Sequence, residues 1–215
     1  MTLAEAHIAD PSGDADRRSR ILEAAERAFV RHGFHAATMQ HVAAEAAMSP
    51  GNLYRYFRSK EAIVEGLCQR DQRERAAAFA AFGLAPDITT AMACGLRRNL
   101  LGKPREKMQI ILEIWAEAGR NPAIAAMCGA IDADVRDGLI RLVETAKQKG
   151  QAHPELDALF ATRVMITTVL GLFKRRAHEA DFDGETELAM ALGVFAALFE
   201  GRISPLPSAP EGEGP

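Results

Sequence analysis

The chain has 215 residues, 48% hydrophobic and 26% charged, enough for one large domain or two modest ones with an ample core. No run of eighteen apolar residues marks a membrane span, and the acidic start "MTLAEAHIADPSGDAD" lacks the basic and apolar regions of a secretion signal. Cys68, Cys94 and Cys128 are odd in number and widely spaced without CxxC pairing, which suits core or surface thiols of a cytoplasmic chain.

The net charge of −3 is unevenly spread. Residues 1–16 carry four acids and no base, and residues 17–60 carry eight Lys or Arg against three Glu. Residues 61–215 carry eighteen bases against twenty-two acids. A compact basic segment on a neutral-to-acidic body is the electrostatic footprint of a nucleic-acid-binding head.

In chain order, residues 1–16 read as a disordered acidic segment. From Arg17 to His32 the set Ile21, Leu22, Ala25, Ala28 and Phe29 repeats at three and four, which predicts a helix stopped by Gly33. Thr38 caps a helix of about eight residues with Met39, Val42, Ala43 and Ala46 inward. Ser49 caps another through Tyr56, with Pro50 at the first position, where its missing N–H costs nothing. Ser59 starts a longer helix to about Phe82. Further helices are expected from Asp87 to Leu101, Pro104 to Ala118, Pro122 to Lys149, Pro154 to Ala180 and Glu185 to Phe199. The tail from 204 on, "SPLPSAPEGEGP", has four prolines in twelve residues and reads as disordered. The class is all-α with about nine helices: a three-helix head over 17–66 and a larger body over 67–203.

Two short helices joined at Ala47–Met48 and braced by longer ones are the layout of a helix-turn-helix. Leu53 and Phe57, four apart, face inward, leaving Ser49, Pro50, Gly51, Asn52, Tyr54, Arg55 and Tyr56 outward. Small residues there let backbone approach base edges, while tyrosine hydroxyls, Arg and Lys suit phosphates. Lys60 sits beside the free N–H groups of a helix start, an anion site in itself. A mildly basic, solvated corner is the bland alternative, and an all-helical adaptor docking a protein is another.

The stretch "RILEAAERAFVRHGFHAATMQHVAAEAAMSPGNLYRYFRSKEAIVEGL", residues 20–67, resembles the TetR family of transcriptional regulators. Its parts match in order: the Gly33–Phe34 stop, the Thr38 cap, Val42–Ala43, and Leu53-Tyr54-x-Tyr56-Phe57-x-x-Lys60-Glu61. The resemblance implies that Ser49 to Asn52 and Arg55 face bases, and that Tyr54 and Tyr56 grip the backbone. Lys60 would hold a phosphate, with Thr38 and Gln40 on a flanking one. Family members commonly have Gly-Val where this chain has Ala47–Met48, so a turn needing positive φ would cost of the order of 1 kcal/mol here.

The body bears on partners. Residues 164–173, "VMITTVLGLF", have no charge in ten, so this helix is buried on both faces, either in a homodimer or in a monomer's seam. The dimer set is Val164, Thr168, Gly171, Leu188, Leu192, Phe195 and Phe199, forming a four-helix bundle across a two-fold axis. Met92, Leu96, Met108, Ile111, Trp115, Met127, Ile131, Met165 and Phe173 form apolar stripes that read either as packed core or as a site for a small apolar inducer. Glu113 and Glu117 read as a solvated edge or a partner for a cationic ligand. The resemblance implies a repressor that binds a near-palindromic double-stranded operator as a homodimer and lets go when the inducer binds. No catalytic motif, metal-ligand spacing or cofactor motif is present.

Overall fold

The computed structural model describes residues 11–82 and 85–205. Among them are nine helices: α1 Pro11–His32, α2 Met39–Glu45, α3 Pro50–Tyr56, α4 Lys60–Phe82, α5 Ile88–Leu100, α6 Arg105–Ala118, α7 Pro122–Gln148, α8 Ala158–His178 and α9 Gly184–Phe199. No strand occurs among the described residues.

Two starts differ from the sequence reading. α1 begins at Pro11 rather than Arg17, so residues 11–16 are helical instead of disordered. Proline needs no N–H in a first turn, and Asp14 there faces the positive end of the helix dipole. Residues 1–10 lie outside the described residues, as does the expected proline-rich tail from 206 on. α8 begins at Ala158 rather than Pro154, because Asp157 outcompetes the proline as a start. Its carboxylate accepts from the N–H groups of Leu159 at 2.8 Å and Phe160 at 3.2 Å.

The chain divides into two compact units, one of residues 11–71 with 109–128 and one of 72–108 with 129–205. Residues 109–128, which the sequence reading assigns to the body, therefore cluster with the head. The core of the first unit holds Ile21, Ala28, Phe29, Phe34, Val42, Leu53, Phe57 and Ile63, joined by Ile110 and Ile124. Phe29 and Phe34 meet edge to face at 5.1 Å. The second core is built around Leu100, Val143, Met165, Phe195 and Leu198, none more than 1% exposed, with α5 and α8 both packed on α9.

Candidate nucleic-acid interface

The two short helices are held at their ends by side chains. Thr38 caps α2: its hydroxyl accepts from the His41 N–H, and its own N–H donates to His41 Nδ1, both at 3.3 Å. This is a capping box with histidine in place of the usual Glu or Gln. The ring of His41 stacks on that of His32 at 4.0 Å, so two of the three head histidines are spent on each other. Ser49 caps α3 by accepting from the Asn52 N–H at 3.3 Å, with Pro50 first in the helix.

The turn between them does require positive φ. Ala47 adopts φ 51° and is the one non-glycine residue in that region among the described residues. It closes with Ala47 N–H on Ala44 C=O at 3.1 Å and Met48 N–H on Ala43 C=O at 3.0 Å. An alanine here costs about 1–2 kcal/mol relative to an unstrained backbone.

With Leu53 fully buried and Phe57 2% exposed, the outer face of α3 is fixed. Ser49, Pro50, Gly51, Tyr54 and Arg55 are exposed, as are Thr38 and Gln40 at the start of α2. Nothing lies within 4 Å of where a Cβ on Gly51 would stand, so this end of the helix is open to a close-fitting partner. Two residues depart from the expected arrangement. Asn52 is half-buried in a hollow, and Tyr56 is half-buried with its body packed on the core.

Lys60 departs further. Its ammonium donates to the Phe34 carbonyl at 2.9 Å and the His35 carbonyl at 3.1 Å, and stands 4.6 Å from the centre of the Phe34 ring. Carbonyls left free after α1 take up the charge that the sequence reading gave to a phosphate. Lys60 is a strut between the start of α4 and the α1–α2 loop.

The basic segment is likewise divided. Arg18 donates to the Tyr56 carbonyl at 3.0 Å and lies 4.5 Å from the centre of the Phe57 ring. Arg27 and Arg31, one turn apart, both hold Glu45 and so clip α1 to α2. Arg17, Arg20, Arg55 and Arg58 are exposed and make no hydrogen bond or ion pair among the described residues.

The α1–α2 loop is also held from α6, which sequence reasoning missed. The Phe34 N–H donates to Glu113, and His35 Nδ1 lies 3.3 Å from Glu117 Oε2. Arg120 donates to the same Glu117 oxygen at 2.9 Å. Arg120 first, then His35, holds the Glu117 carboxyl below its ordinary range. Glu61, in the first turn of α4, is lowered too: its own N–H and the Ser59 hydroxyl stabilise the anion, and Asn121 adds a hydrogen bond at 3.2 Å. Glu113 and Glu117 thus form neither a bare solvated edge nor a free cation site. Their spacing of four on α6 was the available signal, but nothing in sequence pointed it at residues 34 and 35.

The nine candidate ligand residues do not form one group. Trp115 and Met127 pack on the core of the first unit, whereas Met92, Leu96, Met165 and Phe173 belong to that of the second. Met108, only 1% exposed, is also in the second. Ile111 and Ile131 are half-buried. The second unit does contain a cleft of about 140 Å³, lined by Phe79, Ile88, Gly138, Leu142, Thr145 and Ala146 with Arg141 and Lys149, and none of the nine lines it.

The dimer candidates also divide. Leu188, Phe195 and Phe199 are 2%, 1% and 4% exposed within their own chain and are unavailable to a partner. Val164, Thr168 and Leu192 are half-buried, and Gly171 is exposed with open space beyond it. The large apolar side chains that α8 and α9 leave exposed are instead Leu159, Leu170 and Met190, at 41%, 39% and 50%. An all-round apolar helix gives no periodicity from which to choose its inner face, which is why three of the four α9 residues expected at a partner are buried in their own chain.

No group of His, Cys, Asp and Glu among the described residues is arranged to hold a metal ion. No helix among them is long and apolar enough to cross a membrane.

Comparison with known proteins agrees with this geometry. Residues 21–67 match the family model for bacterial regulatory proteins of the tetR family, and residues 97–200 match that of the BetI-type transcriptional repressor C-terminal domain. The HTH-type transcriptional regulator UidR of Escherichia coli strain K12 is 29% identical over 187 residues, spanning 84% of this chain and 90% of the relative. The solved structure of Salmonella enterica GusR superposes with a TM-score of 0.72 at 25% identity, covering 89% of this chain and 98% of that one. The structure of FadR from Bacillus subtilis in complex with stearoyl-CoA superposes with a TM-score of 0.71 at 18% identity, covering 85% and 98%, and shows a shared fold. With tetR-type models matching both its helix-turn-helix and most of its body, the chain belongs to the TetR family of DNA-binding transcriptional regulators.

Proposed function

We propose that the chain is a cytoplasmic repressor that binds a near-palindromic operator as a homodimer and releases it when a small, largely apolar effector enters the body. The observation that carries the DNA half is the outer face of α3. Pro50, Gly51, Tyr54 and Arg55 stand free above a fully buried Leu53, with open space at Gly51. Ser49 to Asn52 and Arg55 read bases in a major groove about 12 Å wide. Tyr54, Thr38 and Gln40 hold phosphates, with Tyr56 contributing through its half-exposed edge. Lys60 acts on DNA through the loop it braces rather than by touching it.

The dimer forms through the outward stripe of Leu159, Leu170 and Gly171 on α8 and Met190 on α9, which would otherwise leave large apolar side chains in water. The effector half is supported by a buried hydroxyl. Thr162 Oγ1, on a residue 0% exposed and one turn from Met165, has no partner among the described residues. A polar atom left so is costly unless something satisfies it. Met92 and Met165, adaptable side chains, belong to the core of the same unit. The FadR structure of the same fold is in complex with stearoyl-CoA, whose acyl chain is long and apolar, and this supports the reading.

The test is fluorescence anisotropy on a duplex that the chain itself selects from a random-sequence library. Arg55→Ala and Asn52→Ala should change base preference by about 1–3 kcal/mol at single positions. Equal losses on selected and random duplexes for both variants would remove the base-reading assignment. Binding that ignores salt between about 50 and 200 mM would remove DNA recognition itself.

A further inference from the structure

We infer that Arg17 and Arg20 grip a DNA phosphodiester in the hollow beside the turn of the helix-turn-helix, so that α1 as well as α3 sets the footprint on the duplex; this rests on the DNA-binding reading above. The hollow, of about 190 Å³, is lined by Arg17, Arg20, Ile21, the turn residues 46–48 and Asn52. Positions 17 and 20 lie three apart on α1 and so share a face, with Ile21 below them 1% exposed and fixing the helix.

The neighbouring arginines show what structural ones look like in this head. Arg18 is tied to the Tyr56 carbonyl and the Phe57 ring, and Arg27 and Arg31 to Glu45. Arg17 and Arg20 have no such acceptor among the described residues, although Asp16 and Glu23 stand four and three positions from Arg20 on the same helix. Two guanidinium forks beside an amide make a hollow rich in donors, and a guanidinium's fixed fork matches phosphate oxygens two at a time. The third polar group there is Asn52, at the base-facing end of α3. A side chain that reads a base and two that take a phosphate beside one turn form a single docking corner. Arg17 and Arg20 lie far from the turn in sequence, and only the folded helix α1 brings them to it.

The experiment uses the full chain and the selected duplex, titrated by anisotropy over a series of KCl concentrations. The Arg17→Ala/Arg20→Ala variant should melt at the wild-type temperature and bind roughly tenfold or more weakly at low salt. Its slope of log affinity against log salt should shrink by about 0.9 for each phosphate contact removed. Base preference at the positions read by α3 should stay as in the wild type. Arg17→Lys/Arg20→Lys, which keeps the charge but not the fork, should recover the slope and only part of the affinity. An unchanged slope overturns the inference, whether or not affinity falls, and so does competition by inorganic phosphate with no dependence on duplex. Failure of the wild-type chain to select any duplex would instead sink the DNA-binding reading beneath it.

Discussion

The first unit adds to its apolar core a set of polar clips that set its short helices, whereas the second rests mainly on apolar side chains along long helices. In the first, Thr38 and His41, Ser49, Glu45 with Arg27 and Arg31, Lys60 on the Phe34 and His35 carbonyls, and Glu113 on the Phe34 N–H fix two helices of seven residues each. In the second, Leu100, Val143, Met165, Phe195 and Leu198 have almost no exposed surface, and α8 and α9 meet face on face. The hydrogen-bonded clips contribute about 0.5–1.5 kcal/mol each, more for a charged donor such as Lys60, and the exposed Arg27 and Arg31 pairs with Glu45 less than about 1 kcal/mol. They orient short elements that could not bury enough surface to orient themselves, and they leave the outer face of α3 free for a partner. The long helices carry clips as well, Asp157 and Asp183 at their starts and Arg175 on Glu187 between α8 and α9, but they surrender their best apolar residues to their own core.

The largest effect that separates the two regimes is expected at Phe195. Phe195→Ala should cost about 3–5 kcal/mol in urea unfolding, at every protein concentration, because the side chain fills its own chain's core. Leu170→Glu with Met190→Glu should do the reverse, leaving each chain helical by circular dichroism while light scattering shows the mass of a monomer. Were Phe195→Ala to yield a stable monomer, the division of α9 into inner and outer faces would be wrong.

Next comes Lys60. Lys60→Ala leaves two carbonyls without their charged donor and should lower stability by about 1.5–3 kcal/mol in the absence of DNA. Loss of DNA binding with an unchanged melting temperature would return Lys60 to a direct phosphate contact.

These cases show which parts of the molecule were legible in sequence. The caps at Thr38 and Ser49 and the stop at Gly33 were, because each depends on a side chain or φ value that few residues provide. Leu53 and Phe57 were, because a short amphipathic helix has only one way to bury two residues four apart. The inner face of α9 was not, since Leu188, Leu192, Phe195 and Phe199 compete with Met190 and Val194 on a helix with no polar side to exclude. The role of Lys60 was not, since its partners are backbone carbonyls twenty-five and twenty-six positions away and carry no sequence signature. The hold of α6 on the loop was hidden for the same reason.

Ala47 sharpens the comparison from the other side, as a place where the head gives up stability. Ala47→Gly should raise stability by about 0.5–1 kcal/mol, the relief at φ 51° being partly offset by glycine's greater freedom when unfolded. Selected-duplex affinity should change little if the turn already has its final shape. A fall in stability would mean that the neighbouring hydrogen bonds to Ala43 and Ala44 depend on the alanine methyl.

The smallest effect is expected at Glu117, whose partly buried carboxylate pairs with the largely exposed Arg120 and His35, where water screens the charges. Its carboxyl lies below the ordinary range in the folded chain, chiefly through Arg120 and then through His35. The anion is therefore favoured by folding, and its contribution is fully present above the ordinary carboxylate value of about 4.3. It is lost as pH falls through the lower folded value, since the unfolded chain takes up the proton first. Glu117→Gln removes that proton uptake. The variant's thermal midpoint should fall less steeply with acid below about pH 4.3 than the wild type's, and lie slightly below it at neutral pH. The same substitution tests the clip itself. If the α6 hold on the loop orients α2 and α3, Glu117→Gln should also weaken duplex binding at neutral pH with no change in salt slope, because no phosphate contact has been removed. A changed slope would place Glu117 or its partner His35 at the DNA rather than behind it.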